Sequence, residues 1–325
     1  MEEQRPEPGD RASEDEVPVL PPPREGSVLW RVGGVVRTLR PHQWAKNSFV
    51  LAPVVFAKDM FSPPLLLSAL SAFTVFCFLA GAVYTMNDIV DVEGDRIHPV
   101  KRFRPIPSGR VPVGAAKVIA AVLVVGSLGG ALLIDKWFAA VAAGYFALNA
   151  AYSFKLKKVA WVDVGCIAAG FVLRVVAGGL ATHIKVSSYL LACTALLALF
   201  LGFGKRRHEL AQAEKKAKKQ REALDAYTPR ALTIALALTS VATAGTYFAY
   251  TLDPKTQEFF KTVWLWPTTL HVLFGMFRFL QLVTGRPKAE SPTQEMLRDV
   301  PFVLNLVVWV VEVIAIVYAL RPSVG

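Results

Sequence analysis

Cysteine is nearly absent from this 325-residue chain, with Cys77, Cys166 and Cys193 the only three. Each falls inside an apolar run and none forms a C-x-x-C pair, so neither a disulfide framework nor a thiolate zinc site is indicated. Histidine is equally thin: its five residues are scattered, with no two at ligand spacing. No glycine-rich phosphate loop of the P-loop or dinucleotide type occurs. The N-terminus has no apolar h-region, which argues against a secretory signal. No convincing internal repeat of the kind transporters tend to carry is present. Charge is sparse as well. Only 19% of residues are Asp, Glu, Lys or Arg, against about a quarter in a soluble domain.

Long apolar runs take the place of all these. Hydrophobic residues make up 54% of the chain and the mean hydropathy is +0.41. A bilayer crossing needs about 20 residues. Runs of that order stand at 63–86, 112–134, 136–153, 160–181, 186–204, 231–251, 258–283 and 299–320, with a shorter one at 43–57. In lipid the backbone must satisfy its own hydrogen bonds, so helices are the expected answer. The expected fold class is therefore all-α, a polytopic membrane helical bundle of about nine transmembrane helices. Pro53 and Lys58 shorten the first run, and an eight-span reading with that run as an interfacial helix stays open. Residues 1–27, rich in Pro, Glu, Arg and Ser, are expected to be a disordered tail. Residues 28–325 form the expected transmembrane domain.

The net charge of +11 would suit nucleic acid, but its distribution points to topology instead. The connections 88–111, 154–158, 205–230 and 284–298 hold twenty Lys and Arg, and the alternate connections hold five. By the positive-inside rule the basic connections and the N-terminus face the cytoplasm. The expectation is a multi-pass protein of the cell's inner (plasma) membrane, with the bilayer as a partner and no nucleic acid. Nothing in the chain excludes a homo-oligomer. Within the basic connection 204–229 a thin apolar stripe suggests an amphipathic helix, lying on anionic lipid or solvated. Asp299, just before the last run, reads as a helix cap.

One of these connections opens with acids. No charge occurs from Phe61 to Asn87, and then "NDIVDVEGDRIHPVKRFRP" begins. If the helix continues, Asn87, Asp88, Asp91 and Asp95 share an arc of about 100°. Each carboxylate costs about 2.5–3.5 kcal/mol in a membrane helix, and three on one face also repel. A solvated helix end is one reading. The other is a hard divalent cation such as Mg²⁺, which suits oxygen ligands and recruits phosphates. Lys101, Arg102 and Arg104 follow directly. Acids for a metal beside bases for oxyanions suit a metal–diphosphate substrate.

The motif N-D-x-x-D-x-x-x-D at a cytoplasmic helix end, followed by K-R-x-R-P, resembles the UbiA-type intramembrane transferase superfamily. That resemblance implies a helical bundle of about nine spans, with Mg²⁺ holding a diphosphate leaving group. It also implies that Asn87, Asp88, Asp91 and Asp95 form the metal site, with Asp91 and Asp95 catalytic. Four further stretches narrow the branch. "LRPHQWAKN" carries Arg40, Gln43 and Lys46. "YSFKLKKVAWVDVG" carries Tyr152, Lys157 and Asp163, where other members have a second Asp-rich motif. "FVLRVVAGG" places Arg174 in mid-span. "GFGKRRHEL" carries Lys205, Arg206 and Arg207. Together they resemble the branch that moves phosphoribose. The implied substrates are phosphoribosyl pyrophosphate and a polyprenyl (decaprenyl) phosphate, the implied product a precursor of cell-wall arabinan.

Phosphate contact is expected of Lys46, Arg102, Lys157, Lys205 and Arg206. Arg174 either touches substrate or pairs structurally with Asp163 or another acid. Tyr152 and Asp163 either orient a ligand or bond across helices. Two rival functions remain at this stage: a prenyltransferase acting on an aromatic acceptor, and a membrane transporter.

Overall fold

A computed structural model describes residues 26–55, 62–216, 226–284, 295–296 and 298–319. The expected tail at 1–27 lies outside them apart from Gly26 and Ser27, as do residues 217–225 of the expected amphipathic connection.

Every regular element among the described residues is helical. Helix α1 spans Val28–Thr38, a 3-10 helix spans Pro41–Val50, and α2 is one turn at Ala52–Val55. Next come α3 (Pro63–Val90), α4 (Val92–Arg96), α5 (Val113–Ile134), α6 (Lys136–Phe154) and α7 (Val162–Thr182). The chain continues with α8 (Ser188–Lys216), α9 (Pro229–Leu252), α10 (Pro254–Phe260), α11 (Thr268–Thr284) and α12 (Val300–Ile314). Among the described residues six helices are long and apolar enough to cross a membrane: α3, α5, α7, α8, α9 and α12 with its following turn. The 19-residue α6 and the shorter apolar α11 bring the long helices to eight.

Two expected spans differ. The run 43–57 is not one crossing helix. Over its described part it is a 3-10 helix followed by the single turn of α2. The run 258–283 is broken, because Lys261 closes α10 in the left-handed region at φ 55 and α11 begins only at Thr268. The helix starts have chemical causes. Asp135 accepts from the Trp137 and Phe138 N–H groups, and Thr228, Asp253 and Asp299 cap α9, α10 and α12, each with proline in the first turn. Such side chains supply acceptors that the first helical turn otherwise lacks.

The bundle has two main cores. Phe76, Leu79, Phe138, Ala142, Tyr145 and Ala177 join α3, α6 and α7. Val164, Phe200, Phe203, Leu232, Leu236 and Phe279 join α7, α8, α9 and α11. Small residues let these helices approach, as is usual in lipid. At Gly178 a Cβ would stand 1.9 Å from the Val50 carbonyl oxygen, so α7 touches the backbone of the 3-10 helix directly. The opposite faces stay apolar and exposed, for example Val118, Val122, Val125 and Leu133 along α5. That belt is suited to acyl chains. Trp137, Trp264 and Trp266 are exposed near the helix ends opposite the acidic motif, the place amphipathic rings take at a membrane surface.

Candidate active site

Six chain segments deliver charged side chains to one end of the bundle. Helix α3 ends at Val90 with Asp91 as its cap, and α4 follows at once. The junction keeps helical spacing: Asp91 N–H donates to the Asn87 carbonyl at 2.9 Å and Asp95 N–H to the Asp91 carbonyl at 2.8 Å. The expected arc of Asn87, Asp91 and Asp95 therefore persists through the bend.

The acids on it are paired with bases. Asp88 is buried and accepts from Arg40 at 2.5 Å and Arg104 at 3.2 Å. Arg104 also donates to Asp95 at 2.7 Å, and Lys101 lies 3.5 Å from the same carboxylate. Asp91 is the open one, its side chain 43% exposed, with Lys157 Nζ at 2.9 Å. Arg40 sits at φ 52 between α1 and the 3-10 helix, and its guanidinium lies 5.0 Å above the Tyr84 ring. Gln43 ties its own N–H to the Arg40 carbonyl at 2.8 Å, and Lys46 is exposed on the 3-10 helix. Arg102 stacks on Phe103 at 4.9 Å.

A second cluster forms where α7 begins and α8 ends. Asp163 and Arg206 are closed off, with side chains 0% and 1% exposed, and Arg206 Nε lies 2.6 Å from Asp163 Oδ2. Arg206 also pairs with Glu209. The Tyr227 hydroxyl donates to Asp163 Oδ1 at 2.6 Å and accepts from the Trp161 N–H at 2.7 Å. Burial, together with the Asp163 carboxylate, pushes the Tyr227 hydroxyl pKa up. Trp161 itself is strained at φ 69, held by that bond and by its ring contacts with Phe203 and Tyr227. Tyr152 is half-buried on the last turn of α6. Arg207 is half-buried beside Arg206 in sequence. Lys205, 47% exposed, approaches Glu209 at 3.9 Å.

One expectation changes and two open alternatives narrow. Arg206 is enclosed between two acids and is not presented to a phosphate. Asp163 is sealed by Arg206 and Tyr227, the bonding across helices that was one of its two readings. Arg174 does not pair with Asp163 or with any other acid among the described residues. It donates to Asn47 Oδ1 at 2.8 Å, to the Tyr145 hydroxyl at 2.7 Å and to the Gly170 carbonyl at 3.0 Å. Neutral dipoles and the Tyr145 ring, 4.6 Å away, therefore hold this buried charge. Asn47, Tyr145, Tyr227 and Glu209 are the side chains that sequence reasoning left without a role. Asn47 lies inside the quoted 39–47 stretch, whereas no spacing pointed to Tyr145 or Tyr227.

The donor chemistry fits a hard divalent cation. Asn87, Asp91 and Asp95 offer oxygens from one arc, and Asp91 opens to solvent. Among the described residues no three acidic, His or Cys side chains converge as a ready-made cage. A cation would therefore share these carboxylates with Lys157, Lys101 and Arg104, and would depend on substrate oxygens to complete its shell, as Mg²⁺ commonly does.

An apolar helical bundle with an acid- and base-rich face at one end defines an integral-membrane enzyme of the all-helical kind. The chain belongs to the UbiA prenyltransferase family, whose model matches residues 48–286. It is 38% identical over 286 residues to a decaprenyl-phosphate phosphoribosyltransferase of Mycobacterium tuberculosis, covering 87% of this chain and 93% of that one. A protein of the same name from Corynebacterium glutamicum is 34% identical over 290 residues, covering 88% and 87%. Among solved structures, a UbiA homolog from Archaeoglobus fulgidus bound to DMAPP and Mg²⁺ shares the fold. Its TM-score is 0.64 at 19% identity, covering 88% of this chain and all of that one.

Proposed function

We propose that this protein transfers 5-phosphoribose from phosphoribosyl pyrophosphate to a polyprenyl phosphate, of the decaprenyl class its relatives are named for, and releases diphosphate. The observation that carries the reading is the asymmetry of the two clusters. Only the 87–95 arc remains open to a metal–diphosphate, because Asp163 is closed off by Arg206 and Tyr227. Around the open arc stand Arg40, Lys101, Arg104 and Lys157, and Lys46 lies in the field of Arg40. One acidic arc ringed by separated cations suits a donor with a diphosphate and a distant 5-phosphate, together with an acceptor phosphate. A prenyl diphosphate and a neutral ring would leave much of that charge unanswered.

Asp91, Asp95 and Asn87 would hold the divalent cation at the donor's diphosphate. Bound there, it supplies Lewis-acid neutralisation of the leaving group. Lys157 and Arg104 release part of their hold on the carboxylates and turn to phosphate oxygens, Arg104 with the planar fork that suits them. Lys46 and Lys101 take the separate 5-phosphate. The bond from the anomeric carbon to the diphosphate oxygen breaks as an oxygen of the lipid phosphate attacks from the opposite face, which implies inversion. No side chain need remove a proton, since a phosphate monoester with a second pKa near about 6 is already anionic. The basic connections put this face in the cytoplasm, where a water-soluble donor arrives, while the prenyl chain stays in lipid.

The decisive experiment incubates purified protein with radiolabelled phosphoribosyl pyrophosphate, polyprenyl phosphate and Mg²⁺ and follows label into the organic phase. Transfer that needs all three is expected. A protein that instead moves a prenyl group from a prenyl diphosphate to an aromatic acid, and leaves the sugar untouched, overturns the reading.

A further inference from the structure

Helix α1 plays no part in the chemistry above, and half of its surface has no partner among the described residues. With 11 residues it is about 16 Å long, far short of a crossing. One face is docked. Gly34 and Thr38 are buried, and Val35 packs on the cluster of Val92, Ile106, Val111 and Ala116. Arg110 secures it from outside, donating from Nε and Nη2 to the Trp30 carbonyl at 2.8 and 2.6 Å, with its guanidinium 4.9 Å above the Trp30 ring. The other face is bare and apolar: Val28 is 77% exposed, Leu29 82%, Val32 51% and Val36 50%.

Those four residues form a single stripe about 100° wide; Arg37 lies beyond one edge, and Arg31 beyond the other, on the side that carries Thr38 and Val35. Both arginines are exposed and the first turn of α1 holds no acid. The chain then leaves α1 through Arg40, which binds Asp88 in the last turn of the spanning helix α3. That contact fixes α1 at the level where α3 leaves the hydrocarbon. An apolar stripe flanked by cations at that level matches a leaflet surface: acyl chains under the valines, anionic headgroups at the guanidinium groups.

We propose that Val28–Thr38 is a surface-lying helix that binds anionic phospholipid, with Leu29, Val28, Val32 and Val36 in the acyl boundary and Arg31 and Arg37 on lipid phosphates. Since Arg40 follows two residues after this helix, lipid seating also holds that arginine against Asp88. The proposal does not rest on which group the enzyme transfers.

The test uses the full chain in nanodiscs, with Cys77, Cys166 and Cys193 replaced by alanine and a bimane on Leu29→Cys. Quenching by doxyl-labelled phosphatidylglycerol is compared with quenching by doxyl-labelled phosphatidylcholine at equal mole fraction. The expected result is quenching by both lipids, stronger with the anionic one. Arg31→Gln and Arg37→Gln should each reduce that preference by about five-fold. In parallel, the chain with its native cysteines is compared with the double Arg→Gln variant by native mass spectrometry, counting retained phosphatidylglycerol. Fewer retained lipids in the variant is the expected outcome. A label open to aqueous iodide and untouched by either lipid overturns the proposal. So does equal quenching by the two lipids, or shielding that disappears when the number of protein copies per nanodisc is lowered to one, which would make a second copy the occupant.

Discussion

Two acid–base clusters sit at the same end of the bundle, yet only one has its central charges open to water. At 88–104 Asp91 is 43% exposed, Lys101 44% and Arg104 33%. At 163–209 the central pair is 0% and 1% exposed. Residue types alike in the sequence thus serve opposite ends. The open set trades partners at modest cost, because solvent screens each exchange. The sealed set cannot, because separating it strands a charge in a dry interior. A ligand that brings its own cation and anions can enter the first cluster. The buried Asp163–Arg206 pair offers no such opening.

Replacing one charged residue in each cluster breaks the comparison most sharply. Asp91→Ala is expected to lower label transfer by about 10²–10³-fold or more, the scale of losing a key electrostatic group, while the unfolding midpoint in detergent stays near that of the parent. Substantial transfer by this variant would remove the metal from the arc. Arg206→Leu should behave in the converse way. It strands Asp163 and should cost about 3–5 kcal/mol of stability, read as a large fall in the midpoint, with an unchanged donor KM in whatever protein folds. A raised donor KM at intact stability would return Arg206 to the phosphate. Lys46→Ala comes next, raising the donor KM by about 10–100-fold, as expected for one hydrogen bond to a charged group. The lipid KM should not move, and a rise in that constant alone would assign Lys46 to the acceptor.

The smallest effect concerns a third pair at the same end, Arg278–Asp299, which joins α11 to the start of α12. Arg278 donates to both Asp299 oxygens at 2.9 and 2.7 Å. That contact, aided by the Phe302 N–H, holds the Asp299 carboxyl below the usual carboxylate range. A folded pKa lower than the unfolded one adds stability above the ordinary value of about 3.9 and loses it as pH falls through the folded value. The midpoint of the parent should therefore drop slightly more on acidification through that window than the midpoint of Asp299→Asn, which keeps the cap. Equal drops would show that this pair contributes nothing.

Much of this was legible in the chain because lipid enforces it. An uncharged run from Phe61 to Asn87 has few alternatives to a helix like α3, and the Asn87–Asp91–Asp95 arc needed only that the helix not stop at once. The 43–57 run misled because a half-length buried segment and a short span share one composition. The break at Lys261 was hidden because its apolar neighbours continue the run while the backbone turns left-handed there. Arg206 was the hardest. Nine bases fall in 205–230, and nothing local marks the one enclosed by Asp163. The tyrosine that completes that enclosure is 64 positions from Asp163.

The contact of Gly178 with the Val50 carbonyl works like a machinist's datum. Two backbones meet there with no side chain between them, so the 3-10 helix has a hard stop rather than a cushion. A 3-10 helix advances about 2.0 Å per residue, and Lys46 and Asn47 stand four and three residues back from that stop. Their reach toward the acids and toward Arg174 is thereby calibrated from one end. A methyl group at position 178 acts as a shim. It must push Val50 away, and the error is passed on to Lys46 although no charged atom has changed. A tolerance of this kind is set by the thickness of a hydrogen atom, and the site inherits it from a residue that touches no ligand.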